Sequence, residues 1–535
     1  SVGKRAVNIA VMIANPDDYQ RHRQYKIGQV YINPSFQMPD TAVKDTVIRG
    51  DYVFVSDRRQ LVIEPEVLLS KIPIEPGALY EDDQKRETYN RLSQLAIYKF
   101  VDIRFFNTQA LGDNKGKIDC YIQLTPDQQH TLTRSIETTL TDQNNQFAAS
   151  VVNNSRYYGI APSVNYRNKN LLRKGISWDL NLRGAYEFSN QWFQERDNQN
   201  IFELGANTSL KYYGSFLPST VTEEPISNNV STSLDLSYLL EGNVNYRRNT
   251  SSFSYTWRFD NDLSTVYASP VSVNLVNTAI SRDTFERQIA EFDNPFIQSI
   301  FDTYTITGGK LTWIYNDEPL LGDQHWLIRW NLEPAGNLLY LLNDQVIPFF
   351  QQQVFNTAPQ EPDFSNNFEY GFGNVGFYTF TKTQADFRYY IPGNGENELV
   401  LRLAPGIGLG YGNNDFMPFE KRFFVGGSNS VRAWAVRDLG PGSFSENLGG
   451  TSEGLGLQVF QVGDVKIEGN VEYRFDLFYR FKGALFADFG NVWLLSDPGG
   501  TASERFEEQF FEEGRFKSNF YEEIAIGTGL GLRMD

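Results

Sequence analysis

Few residues in this chain are equipped for covalent chemistry. There is one cysteine, Cys120, so no intramolecular disulfide can form. The three histidines, His22, His130 and His325, lie far apart and show no metal-ligand spacing. No paired acids, nucleophile or metal cluster stands out, so neither an enzyme nor a bound cofactor or metal is expected. What the spacing does offer is electrostatics. The segment Phe423-Phe424-Val425-Gly426-Gly427-Ser428-Asn429-Ser430-Val431-Arg432-Ala433-Trp434 sets one arginine among apolar residues shortly after a Gly-Gly turn. Downstream, Val471-Glu472-Tyr473-Arg474-Phe475 and the run Leu485 to Trp493 alternate, with Glu472 and Asp488 opposite in parity to Val471, Tyr473, Leu485, Ala487 and Phe489. If the apolar sets face lipid, both carboxylates point inward. Taken alone, a loop arginine is more often simply solvated, and the two acids could merely line water.

The elements that must position these residues are strands. From about residue 130 helical patterning nearly vanishes and alternating runs dominate. Ile176 to Arg183 alternates without error, and Leu399 to Tyr411 carries apolar residues at odd positions, joined to Phe387–Ile391 through the turn Pro392-Gly393-Asn394-Gly395. Further runs lie near 155–167, 203–213, 232–246, 251–260, 304–316, 325–333, 465–476, 482–493 and 524–534, with a Thr-rich first strand expected within 131–141. Each is about the ~9–11 residues of a tilted spanning strand. The exception is Thr284 to Ile300, whose Phe285, Ile289 and Phe292 predict a connector helix.

Composition agrees. The 535 residues contain 41 Phe, 29 Tyr, 8 Trp and 43 Gly, and 15% are aromatic, a bias that suits aromatic girdles and glycine-rich strands. Hydrophobic content is 41% and mean hydropathy −0.42, and no run approaches the ~18 apolar residues of a spanning helix. A helical membrane protein is thereby excluded, but a barrel is not. The net charge of −17 argues against nucleic acid as a partner, since phosphate binding needs surplus Lys and Arg. Ser1-Val2-Gly3-Lys4 leads straight into a strand-like run, so the expectation is a mature or trimmed chain in which an N-terminal lipid anchor would not be visible.

The first ~126 residues read differently. Ala6–Ile13 predicts the closing strand of a preceding domain, and Tyr25–Ile32 a second strand. Helices follow at Pro65–Lys71 and from Leu79 onward, the latter opened by acids and patterned by Tyr89, Leu92, Leu95 and Ala96. Strands at Val101–Phe105 and Lys117–Leu124 complete a β-α-α-β-β unit.

Two segments resemble known families. PGALYEDDQKRETYNRLSQLAIYKFVDIRF resembles the second-helix and strand region of a POTRA domain, matched at Leu95, Tyr98, Val101 and Ile103. Val431-Arg432-Ala433-Trp434, after Gly426-Gly427, resembles the inward-folded loop of the BamA/TamA outer-membrane assembly family, whose core is Val/Ile-Arg-Gly-Phe/Tyr. Ala433 and Trp434 depart from that core, which bears on how tightly the turn packs.

The resemblance implies an all-β transmembrane barrel of about sixteen antiparallel strands, the last ones absent here, preceded by an α+β POTRA domain. The implied division is 1–21 (tail of a preceding POTRA domain), 22–128 (POTRA domain) and 129–535 (barrel). It also implies that Arg432 pairs with Glu472, Asp488 or both. The implied function is capture of unfolded outer-membrane clients by β-augmentation and their insertion through a lateral seam, without catalysis. The implied partners are those clients, outer-membrane lipid and periplasmic or lipoprotein accessory subunits, with the N-terminal domain in the periplasm. Polypeptide export of the two-partner-secretion type is the alternative within the superfamily.

Overall fold

The structure, a computed structural model, describes residues 24–36, 45–56, 61–110, 115–141, 157–189, 200–214, 230–261, 263–291, 300–318, 324–341, 375–395, 397–412, 416–444, 461–478, 481–496 and 510–534. The strand expected over 6–13 lies outside these residues. The chain divides into two compact units, residues 1–131 with 167–178, and residues 132–166 with 179–535.

The first unit contains β1 (Gln24–Asn33), β2 (Asp45–Arg49), β3 (Tyr52–Ser56), α1 (Pro65–Leu69), α2 (Asp82–Gln94), β4 (Tyr98–Ala110) and β5 (Lys115–Pro126). Its sheet runs β2-β3-β1-β5-β4, with β1 parallel to both β3 and β5 and the two outer pairs antiparallel. Alternation sends Val30 and Ile32, Phe54, Ile103, and Ile118, Cys120 and Ile122 into the buried set, together with Leu68 of α1 and Leu92 of α2. Each such side chain contributes ~1.5–3 kcal/mol of burial.

Two readings of this unit change. The hairpin β2–β3 was not expected, because its strands are only five residues long and too short to establish a period. On α2 the inward position belongs to Thr88, fully buried, and not to Tyr89, which is half exposed. Thr88 fits because its hydroxyl returns to the Gln84 carbonyl at 2.6 Å.

Among the described residues the second unit is formed by a sixteen-stranded sheet, apart from the parts of β6, β7 and β8 that fall within 130–131 and 167–178: β6 (His130–Thr141), β7 (Tyr157–Leu171), β8 (Ile176–Ser189), β9 (Ile201–Tyr212), β10 (Val230–Gly242), β11 (Tyr246–Asp260), β12 (Ser264–Ile280), β13 (Tyr304–Asn316), β14 (His325–Ala335), β15 (Gly376–Phe377), β16 (Phe380–Pro392), β17 (Glu398–Leu403), β18 (Gly406–Gly410), β19 (Val465–Phe478), β20 (Phe481–Trp493) and β21 (Ala525–Met534). Except for β15 and β18, they follow one another in a single hydrogen-bonded path from β6 to β21. Helices α3 (Asp283–Glu291) and α4 (Asn337–Leu341) lie in connections. The expected connector helix is present through Glu291, and residues 292–299 fall outside the described set.

One side of the strands is apolar and exposed, as with Leu234, Leu236 and Tyr238 on β10, Val471 and Tyr473 on β19 and Leu485 on β20. The other side is polar and enclosed, which suits a barrel with a wet interior. The sheet is strongly curved. Ile201 of β9, Tyr246 of β11, Tyr304 of β13 and Leu494 beyond β20 share one buried cluster, which a flat sheet could not bring together.

Two departures have backbone causes. β12 was not read from sequence, because its register shifts between Ser269 and Ser272 around Pro270 and reverses the parity of its apolar residues midway. The run 399–411 is not one strand but two, β17 and β18, since Pro405 has no N–H to give the ladder.

The lone Cys120 thiol has no exposed surface, and burial pushes its pKa up to about 12. A thiolate is the reactive species. Alkylation by iodoacetamide at pH 8 is therefore expected to fail on the folded chain and to reach one equivalent in denaturant. Prompt labelling of the folded protein would contradict the packing of this sheet.

Candidate functional site

The loop between β18 and β19 begins its inward course at a pair of glycines that no other residue could replace without strain. Gly426 and Gly427 have φ of 102° and 91°, and a Cβ on Gly426 would sit 1.9 Å from the Ala435 carbonyl oxygen. From there the chain closes on itself. Gly427 N–H donates to the Trp434 carbonyl at 2.8 Å, Ser430 N–H to Gly427 at 3.1 Å, and Trp434 N–H to Val431 at 3.1 Å. Val431 is buried against Phe423, Val425 and Val492, and Trp434 and Leu439 pack on that cluster. With the apolar residues anchored on one side, Arg432 is turned toward the polar face of the sheet.

There it meets both acids. The Arg432 Nε donates to Asp488 Oδ2 at 2.8 Å and its second amino group to Asp488 Oδ1 at 2.7 Å, a bidentate pair. The backbone N–H of Arg432 adds a third bond to Asp488 Oδ2 at 3.0 Å, and its remaining amino group reaches Glu472 Oε2 at 2.7 Å. The guanidinium lies 3.4 Å from the centroid of the Phe486 ring. Strand register explains the convergence. Glu472 pairs across the ladder with Phe486, and Asn470 with Asp488, so all four share the inward face of β19 and β20.

The two carboxylates are not equivalent. Asp488 has no exposed surface and also accepts from Asn470 Nδ2 at 2.8 Å. Glu472 is more open and holds a second cation, with Arg474 Nε donating to its Oε1 at 2.8 Å. Behind them Arg402 joins Asp386 at 2.8 Å, Asn470 at 2.7 Å and Glu468, while Ser430 Oγ donates to Glu468 at 2.9 Å.

The loop stem is tied separately. Glu420, in the short turn Phe419–Lys421, accepts from buried Arg248 of β11 at 2.8 Å and from the Tyr304 hydroxyl, and Lys421 pairs with Glu333 of β14. The loop is thus ionically fastened to β11 and β14 at one end and to β19 and β20 at the other.

Of the residues singled out in the sequence, Gly426 and Gly427 make the turn, Val431 and Trp434 anchor it, and Arg432, Glu472 and Asp488 come together. Ala433 lies against β21: a Cβ on Gly527 would be 2.5 Å from the Ala433 Cβ. Gly527 pairs with Asp488 and so faces inward at the point where the Ala433 methyl needs room. Sequence reasoning missed Phe486, Asn470, Ser430, Glu468 and Glu420. Phe486 was detectable, as an aromatic with the parity of Asp488 in an otherwise clean alternation. Glu420 was not, because its partner Arg248 lies 172 residues away.

The Omp85 superfamily domain matches residues 135–535, well over half of the chain. The outer membrane protein assembly factor BamA of Neisseria meningitidis serogroup B is 26% identical over 162 residues, 29% of this chain and 19% of that protein. Among solved structures, BamA from Haemophilus ducreyi lacking POTRA domains 1–3 superposes with a TM-score of 0.50 at 13% identity, covering 92% of this chain and 83% of that one, a likeness of fold. CdiB from Acinetobacter baumannii gives a TM-score of 0.47 at 11% identity, covering 91% of this chain and 69% of that one.

Two measurements check the geometry. Asp488→Asn is expected to lower unfolding stability in detergent by about 2–4 kcal/mol, and Glu472→Gln by only about 1, because Asp488 is enclosed and takes three bonds from Arg432 whereas Glu472 is more open. Equal costs would contradict the assigned asymmetry. Gly527→Ala is expected to cost about 1–3 kcal/mol through overpacking, and Ala433→Gly to relieve part of that loss in a double-mutant cycle.

Proposed function

We propose that this chain, which belongs to the Omp85 superfamily and forms an outer-membrane β-barrel, is a non-enzymatic factor that assembles and inserts other barrel proteins. The observation that carries the reading is the docked loop. A bidentate, largely enclosed Arg432–Asp488 pair, reinforced by Glu472 and by Glu420 at the stem, holds polypeptide across the inner face of the sheet. Threading a client through such a lumen would require separating charges whose isolation in a low-dielectric site is costly. Work done at the barrel wall requires no such separation.

In this reading the first unit is a POTRA domain facing the periplasm, within the division 1–21, 22–128 and 129–535. Among the described residues its edge strands β2 and β4 each have one side without a partner strand, the geometry by which an extended client can add as a further strand. Client strands would then pass to a lateral seam beside β6, a Thr-rich strand (HTLTRSIETTLT) at one end of the hydrogen-bonded path. Unfolded outer-membrane proteins and membrane lipid are the partners, with accessory subunits recruited on the periplasmic side.

Depletion of the chain in cells, followed by quantitative proteomics of the outer membrane, tests the reading. Loss of many barrel proteins is expected. An unchanged outer membrane with one secreted polypeptide missing would replace insertion by export.

A further inference from the structure

A cavity of about 400 Å³ opens on the inward face beside the docked loop. Its floor is built by Arg388 and Tyr390 of β16, Val400 and Arg402 of β17 and Asn470, Glu472 and Arg474 of β19, and its roof by the loop residues Ser428 to Ser430 and Arg432. Register places these side chains in rows: Arg388, Arg402 and Asn470 lie across from one another, and Tyr390, Val400 and Glu472 form the next row.

Among the described residues, four guanidinium groups therefore converge on a space lined by a single carboxylate. Each arginine is charge-balanced, but the acids stand behind the cations. Arg388 and Arg474 are 40% and 43% exposed, whereas their partners Asp386 and Glu472 are 17% and 18% exposed, and Glu468 and Asp488 are closed off almost entirely. The donors are also not used up. Arg402 bonds through Nε and one amino group, and Arg474 through Nε and one amino group. The second amino group of each has no hydrogen bond among the described residues and is not enclosed by protein. Planar forks with spare N–H groups, set in a concave wall, match the geometry of a tetrahedral or planar oxyanion.

We propose that this cavity binds a small oxyanion, with Arg474, Arg402 and Arg388 as its ligands and Ser428 and Asn429 closing it from the loop. Inorganic phosphate and the carboxylate of a polypeptide share this chemistry. The site is independent of the insertion reading and would stand if that reading failed. Because its roof is the loop, an occupant bridges the loop to β16, β17 and β19, and binding and loop docking favour each other.

Calorimetric titration of the full chain in detergent with inorganic phosphate at low ionic strength tests the site. One saturable site is expected, weakened about tenfold or more by Arg474→Gln and, from a different strand, by Arg388→Gln. Arg258→Gln, on β11 and outside the cavity, is expected to leave it intact, and far-ultraviolet circular dichroism confirms that each variant is folded. Heats that never saturate, or equal weakening by all three variants, overturn the proposal. Displacement of bound phosphate by a peptide with a free C-terminus, and not by its amide, assigns the physiological group as a carboxylate. Resistance to both peptides assigns it as phosphate.

Discussion

A carboxylate with no exposed surface, Asp488, sits in the inner wall of this protein, and much of the second unit is arranged around the need to keep it paired. A buried charge without a partner would cost several kcal/mol. Its partner, Arg432, stands on a loop and 56 residues earlier in the chain. That loop must turn sharply at Gly426-Gly427, bury Val431 and lean Trp434 on the same cluster before Arg432 can reach the wall. β20 must then present Asp488 and Phe486 on one face, and β19 must present Asn470 and Glu472 beside them. Glycine stands at 527 for the same reason, since the strand beyond Asp488 has to leave room for the Ala433 methyl.

This arrangement places the charged network in the part of a barrel best able to hold it. Lipid forbids charge on the outer face, and strand alternation carries the apolar residues there automatically. The inner face can then concentrate Arg388, Arg402, Arg474, Asp386, Glu468 and Glu472 at close range. In bulk water such pairs would contribute little, but here they are partly shielded and cross-linked through shared carboxylates. The same alternation that makes the wall insoluble in water makes its interior a framework for a loop. The stem contacts of Glu420 and Lys421 to the far strands keep the loop fastened at both ends, so it braces the lumen from two sides.

Legibility from sequence followed the length and regularity of each element. Long clean alternations such as Ile176–Arg183 or Leu485–Trp493 announced their strands and the facing of each side chain. β12 hid because Pro270 shifts its register and inverts parity halfway, and the β2–β3 hairpin hid because five residues are too few to define a period. Tyr89 was placed inward on helical spacing alone, and the structure turns Thr88 inward instead, where its hydroxyl can satisfy itself on the preceding turn. Arg432, Glu472 and Asp488 were legible because the resemblance of the Gly-Gly loop to the family's inward-folded loop implies the pairing, with the shared parity of the two acids in agreement.

The sequence by itself determined the alternation of the strands and the shared parity of Glu472 and Asp488, because these follow from local periodicity, and the family resemblance of the loop joined Arg432 to those two acids. Only the tertiary structure decided how the acids divide their roles. Asp488 takes the bidentate and backbone bonds in full burial, while Glu472 is shared with Arg474. It also decided that Phe486 underlies the guanidinium, that Glu420 reaches Arg248, and that Ala433 is matched by Gly527. Those facts depend on strand register and on contacts between residues tens to hundreds of positions apart. Such distances are set when the sheet curves and the loop docks, and no local pattern encodes them.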